Sequence, residues 1–325
     1  MNATFMSFIL LALVTLFPSQ AVASNNDCLA CHGAKGMRGS VDQTSLAQSV
    51  HKDMDCRKCH LDVTAVPHAS VRKVNCGICH FLGREGAPKE QALEYKMSVH
   101  GAALRLGKPG APACQTCHGT HGIFKSSDRR SKTNRANVPK LCSGCHAREY
   151  GDYRESVHGR EFLEKRNTSA AACFDCHLEH QVPVTGDPAW KLALIRECGM
   201  CHAEEFDTYR KTFHGKVTRL GYETMAKCSD CHGSHAILAV ADEASMLSPK
   251  NRLATCRACH PNATEGFTKY YAHAEELNRE KYPELFYSYA FMTALLIGVF
   301  TFFFAHTFLW AYRAMKEKIA RKGGK

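Results

Sequence analysis

All 18 cysteines of this 325-residue chain fall into nine copies of one five-residue pattern, C-x-x-C-H. The first three copies place Cys28, Cys31 and His32, then Cys56, Cys59 and His60, then Cys76, Cys79 and His80. The next three place Cys114, Cys117 and His118, then Cys142, Cys145 and His146, then Cys173, Cys176 and His177. The last three place Cys198, Cys201 and His202, then Cys228, Cys231 and His232, then Cys256, Cys259 and His260. Two thiols at this spacing form thioethers with the vinyl groups of a haem, and the adjoining imidazole takes the iron as proximal ligand. A single C-x-x-C pair fits a disulfide, half a zinc site or a thioredoxin-like redox pair equally well. Nine copies, each with its histidine and with no cysteine left over, point to nine covalently bound c-type haems.

The histidines extend the count. Of 19 in the chain, nine adjoin the motifs and ten remain. Nine of these, His51, His68, His100, His121, His158, His180, His214, His235 and His273, each follow one motif and precede the next. Nine irons and nine spare imidazoles predict distal ligation by histidine throughout. Two imidazoles close both axial positions and give lower potentials than a Met/His pair, which suits electron transfer and not substrate binding. Met37, Met54, Met97, Met200 and Met225 could serve as alternative ligands but read as packing residues. Which histidine serves which iron stays open, because a distal ligand can come from a neighbouring module.

The elements that must position these residues repeat. CSGCHAREYGDYRESVHGR at 142–160 matches CGMCHAEEFDTYRKTFHGK at 198–216, with a looser copy at 256–276 and a longer insert between CGICH at 76–80 and SVHG at 98–101. CQTCHGTHGI at 114–123 matches CSDCHGSHAI at 228–237 and, more loosely, CFDCHLEHQV at 173–182. The two alternate, which predicts two-haem modules at 28–68, 76–123, 142–182 and 198–237, with a terminal half module at 256–273. In the first element the spacing predicts a helix from the attachment histidine to His158 or His214, with Tyr153 and Tyr209 as haem-packing residues. The expected fold class is mainly α with much irregular structure, a cytochrome c3-like multihaem array. With about 27 residues per motif the porphyrins must supply much of the core.

The two ends carry different signals. Residues 1–23 read as a secretory signal peptide, with an apolar stretch from Phe5 to Phe17 and a small-residue site at Ala21-Val22-Ala23. Their n-region lacks Lys and Arg, so an uncleaved anchor is the alternative. The exported cytochrome domain is expected over 24–276, a linker over 277–284 and a transmembrane helix over 285–312. That uncharged run spans roughly 42 Å as a helix, against the ~30 Å of a hydrocarbon core. Tyr282, Tyr287, Tyr289, Trp310 and Tyr312 fit interfacial aromatic belts, and the basic tail 313–325 is cytoplasmic by the positive-inside rule. The expected location is the bacterial inner membrane with the bulk of the chain in the periplasm. The tail holds +5 of the net charge of +11, so the basic balance is a membrane-side feature and not evidence for nucleic acid binding.

The C-H-G-x-H and S-V-H-G elements over Cys28–His273 resemble those of periplasmic multihaem c cytochromes that carry electrons in anaerobic respiration. The carboxyl end, His306-Thr307-Phe308-Leu309-Trp310, is similar to the first transmembrane helix of inner-membrane proteins in which a multihaem c domain is fused to a quinone-linked cytochrome b domain. That resemblance implies a role for His306 as a b-haem ligand or quinone-site residue. One helix cannot build a b-haem bundle, so it also implies a polytopic partner subunit, with which a b haem would be shared.

Together these readings predict an electron-transfer subunit, not a stand-alone enzyme, working between a quinone-linked membrane partner and periplasmic donor or acceptor proteins. The haem of Cys256, Cys259 and His260 is the expected membrane-side relay, being nearest the helix in sequence. A single-chain quinol dehydrogenase and a terminal reductase with one open haem are the competing readings.

Overall fold

The computed structural model describes residues 24–323 apart from 35, 38 and 70, so the expected signal peptide and the last two residues lie outside the described residues. Helices make up 53% of it, and no strand occurs among the described residues. The mainly helical class expected from the sequence is what the chain adopts. Most helices are short, because the attachment motifs set their own length. Cys114–His118, Cys173–His177 and Cys228–His232 are five-residue helices. Each is capped from inside the motif: Thr116, Asp175 and Asp230 accept the N–H of Ala113, Ala172 and Lys227 at 3.1, 2.6 and 2.8 Å. Each ends on a residue at positive φ, Gly119 (86°), Leu178 (63°) or Gly233 (81°). That backbone is natural for glycine and strained for leucine.

The first element differs from the continuous helix expected. Its helices, Ala147–Glu155 and Ala203–Lys211, start after the attachment histidine and stop well short of His158 and His214. The chain turns extended at Ser156 and Thr212, whose hydroxyls then cap a second helix by accepting the N–H of Gly159 and Gly215 at 3.0 and 3.1 Å. Glu90–Met97 and Val99–Arg105 repeat the arrangement, with Ser98 capping Gly101 at 3.1 Å. A Cβ on Gly101, Gly159 or Gly215 would overlap the carbonyl oxygen of Tyr95, Tyr153 or Tyr209. The S/T-x-H-G sequence is therefore a joint between two helices: a cap, a presented histidine and a glycine that lets the backbones close.

Among the described residues the buried apolar side chains are Val138, Pro139, Tyr153, Phe162, Ala172, Ile195, Tyr209 and Ala263. A soluble chain of this length ordinarily buries about 75% of its unfolded surface. So small a core cannot hold such a chain together by itself.

The chain divides into two compact units, 1–141 and 142–325. In the first, Asn25 bridges two motifs, donating to the carbonyl of Met54 at 3.0 Å and accepting from Cys56 N–H at 2.8 Å. Val50 N–H bonds the carbonyl of Ile123 at 2.8 Å, which sets His51 beside the segment bearing His121. In the second unit Val157 N–H bonds the carbonyl of Ile237 at 2.9 Å, doing the same for His158 and His235. The long helix Pro283–Gly323 closes the second unit and leaves its apolar surface exposed. It has 41 residues and a mean hydropathy of 1.9 in its most apolar stretch, with none of that stretch buried, and is a candidate membrane span. It begins two residues before the expected span and continues through the basic tail, since Ala, Met, Lys and Glu favour helix over coil.

Candidate haem-binding sites

Among the described residues, histidine rings face each other in pairs that each join one motif histidine to one of the nine spare ones. In the first unit these are His32 with His68 at 5.7 Å between centroids, His80 with His51 at 6.2 Å and His60 with His121 at 6.1 Å. In the second they are His202 with His158 at 6.1 Å, His177 with His235 at 5.8 Å, His260 with His214 at 6.1 Å and His232 with His273 at 6.3 Å. An iron roughly 2 Å from a nitrogen of each ring would set the centroids about 6.3 Å apart. The observed pairs span this value from just below, so the imidazoles present fit a bis-histidine iron. His100, His118, His146 and His180 also have interaction partners.

The pairing has a rule the sequence left open. No spare histidine in these pairs returns to the motif it follows. Those in S/T-x-H contexts after odd-numbered motifs reach two motifs forward: His51 to the third, His158 to the seventh, His214 to the ninth. Those in C-H-x-x-H contexts reach two motifs back: His121 to the second, His235 to the sixth. At the ends, His68, with no motif two steps back, and His273, with none two steps forward, each go one step back, to His32 and His232.

Electrostatics and hydrogen bonds prepare the rings. Burial, and next the partner imidazole, hold His51, His121, His158, His177, His214 and His232 below the ordinary histidine pKa, so that they stay neutral with a lone pair free for a metal. Nδ1 of His32, His80 and His273 meets the backbone carbonyl of Gly39, Pro88 and Glu205 at 3.1, 3.1 and 3.0 Å. A proton on Nδ1 leaves Nε2 as the ligating atom. Nδ1 of His60 and His177 is buried without a hydrogen-bond partner, which costs about 1–3 kcal/mol by itself. Among the described residues no group of three or more His, Cys, Asp or Glu side chains converges to hold an ion alone, as a tetrahedral zinc site would require.

The thiols are grouped as well, and none is in a disulfide. First cysteines of successive motifs hydrogen-bond in twos: Cys28 with Cys56, Cys76 with Cys114, Cys142 with Cys173 and Cys198 with Cys228. The shared bond holds one thiol down, Cys114 at about 6 and Cys198 at about 7, and pushes Cys76 and Cys228 up. Between these twos, burial raises the Cys59, Cys176 and Cys231 thiols, and Cys79 adds to it at Cys59, Cys198 at Cys176, and Asp230 and then Cys256 at Cys231. Within each unit every motif thus lies beside the next.

The sequence reading missed Tyr95 and Trp190 and gave Tyr153 and Tyr209 a packing role only. Tyr95, Tyr153 and Tyr209 donate their hydroxyls to the carbonyls of Pro112, Ala171 and Ala226 at 2.6, 2.9 and 2.8 Å, each two residues before an attachment motif. They tether the following motif and do more than pack. Trp190 stacks on His177 at 5.4 Å. A stronger signal was present than the short repeats: Tyr95 to His146 matches Tyr209 to His260 without a gap at an offset of 114 residues, as from Cys114 to Cys228. The match includes ladders of successive turns at 125–137 and 239–251, in which Asn137 and Asn251 side chains each bond two carbonyls of their ladder.

His306 lies apart from these pairs, on the exposed helix, stacked with Phe302 at 6.5 Å. No family model, curated protein sequence or solved structure matches the chain.

Proposed function

We propose that this chain is a membrane-anchored multihaem cytochrome c that carries electrons between a quinone-linked partner in the inner membrane and redox proteins of the periplasm. The observation that carries the reading is the set of facing imidazoles, each joining a C-x-x-C-H histidine to one spare histidine at an iron-spanning separation. Nine haems would be held by the eighteen motif cysteines and nine motif histidines, with the nine spare histidines opposite. Such haems supply one-electron chemistry at low potential. The protein's part is to fix both axial imidazoles and hold successive attachment motifs side by side. The pairwise thiol contacts support close spacing of neighbouring haems, which fast electron hopping needs.

The helix Pro283–Gly323 would anchor the chain with its cytochrome portion on the periplasmic side, and His306 would serve a b haem or quinone site shared with a polytopic partner. Pyridine haemochrome analysis and intact mass test the central claim, with nine covalent c haems and no b haem expected on the isolated chain. Low-temperature EPR should show low-spin ferric signals only. A bound zinc, a haem count well below nine, or a high-spin haem that takes up nitrite or cyanide would sink the electron-carrier reading. His306→Ala should keep all nine c haems and lose quinone-linked reduction in the assembled complex; unchanged coupling would leave His306 a packing role.

A further inference from the structure

The segment between the ninth motif and the anchoring helix is a strap that touches two of the paired-histidine sites. Phe267 packs on His260 at 4.9 Å and Tyr270 stands edge-on to His214 at 6.2 Å, so the early part of the strap serves the ninth site. Its later part does something stronger. His273 is itself one of the facing imidazoles, opposite His232 at 6.3 Å. Its ring is held on one side by the Glu205 carbonyl, 3.0 Å from Nδ1, and by Thr208 Oγ1 at 3.2 Å. Its own carbonyl accepts the hydroxyl of Tyr282 at 3.3 Å. Tyr282 is the residue immediately before Pro283, packs edge-on against Tyr271 at 5.2 Å, and its carbonyl accepts the N–H of Phe286 in the first turn of the long helix. One hydrogen bond and one residue therefore separate the head of the anchor from the imidazole of the eighth site. No comparable bond joins the anchor to His260 or His214 among the described residues.

We propose that the site of Cys228, Cys231, His232 and His273, the eighth along the chain and not the ninth, is the membrane-side terminus of the haem chain, and that Tyr282 is its positioning residue. This rests on the electron-carrier reading above, and replaces proximity in sequence with proximity in the fold as the criterion for the relay. The pairing rule supplies the reason for the exception at His273. With no eleventh motif to reach, the last spare histidine turns back to the eighth, and in doing so ties the membrane entry to that site. Cys228, Cys231, His232 and His273 would hold the haem that, in the quinol-oxidising direction, accepts one at a time the two electrons of a quinol, which becomes quinone as its two protons pass to water.

The test uses the full-length haem-loaded protein, with its membrane fraction, in lipid vesicles. Haemochrome analysis first verifies nine haems in each variant. His273→Met should replace one bis-histidine EPR signal with a His/Met signature. Tyr282→Phe, which removes only the hydroxyl, should shift that same signal and leave the others in place. Menaquinol-driven reduction should slow at least tenfold in His273→Met, and by more than in His214→Met, while dithionite still reduces every haem. A larger deficit in His214→Met, or a Tyr282→Phe spectrum identical to wild type, overturns the assignment. Failure of the wild-type protein to accept electrons from quinol would instead remove the electron-carrier reading beneath it, and the Tyr282→Phe spectrum separates the two failures because it needs no quinol.

Discussion

Leu178 occupies a backbone position that its two counterparts give to glycine. After His118 and His232 the chain passes through Gly119 and Gly233 at positive φ, and after His177 it does so through Leu178 at φ 63° and ψ 171°. That region is nearly restricted to glycine and costs a β-carbon on the order of 1–3 kcal/mol. Leu178→Gly should therefore raise the thermal midpoint of the haem-loaded protein by a few degrees, equivalent to about 1 kcal/mol. A lowered midpoint in calorimetry would mean that the half-exposed leucine is packed more productively than its backbone suggests. The tyrosine tethers make a second expectation at this scale. Tyr209→Phe removes one hydroxyl that bonds the Ala226 carbonyl at 2.8 Å, and should cost about 1 kcal/mol without changing the haem count.

At the scale of elements, the two-helix joint is the part that presents His158 and His214 to their partner rings. Ser156 and Thr212 fill the same capping role, so Ser156→Thr should be nearly silent and Ser156→Ala should cost about 1 kcal/mol. Gly159→Ala is more severe, because its Cβ would meet the backbone carbonyl of Tyr153 and the two helices would have to separate. The displaced histidine is His158, whose partner is His202 in the seventh motif. Gly159→Ala is thus expected to convert one low-spin haem to a high-spin species, read by EPR, and the affected site should be the seventh and not the fifth. The fifth motif precedes His158 in sequence, so the outcome separates the pairing rule from simple chain order.

For the whole molecule, the scarcity of buried apolar residues predicts that, on the proposed function, the chain folds only with its haems attached. The eight buried apolar side chains among the described residues cannot offset the conformational entropy of some 250 ordered residues, at roughly 1–2 kcal/mol each for the backbone alone. Chain made in cells lacking the haem-attachment machinery should show no cooperative thermal transition by circular dichroism. A sharp transition in that apoprotein would show that protein contacts suffice. The exposed helix Pro283–Gly323 is about 61 Å long, enough to cross a bilayer and extend beyond it. Its unburied apolar surface should keep the chain in the membrane fraction through alkaline carbonate washing.

What the sequence determined by itself was chemistry that is local in the chain. Thioether attachment needs two thiols and an imidazole within five residues, so C-x-x-C-H is legible without a fold. An apolar helix is equally legible, because its length and lack of charge are properties of one segment. The total of spare histidines could be counted, and the caps at Ser156 and Thr212 lay within the recognised motif. Only the tertiary structure decided which imidazoles meet. His51 reaches His80 and His214 reaches His260 across an intervening motif, through backbone contacts such as that of Val50 with Ile123 that leave no periodic trace. It also broke the expected helix before His158, since the glycine joint depends on a steric contact with a carbonyl six residues earlier. Finally it set the head of the long helix beside His273, because a hydrogen bond from Tyr282 is a fact of three-dimensional proximity and order along the chain does not fix it.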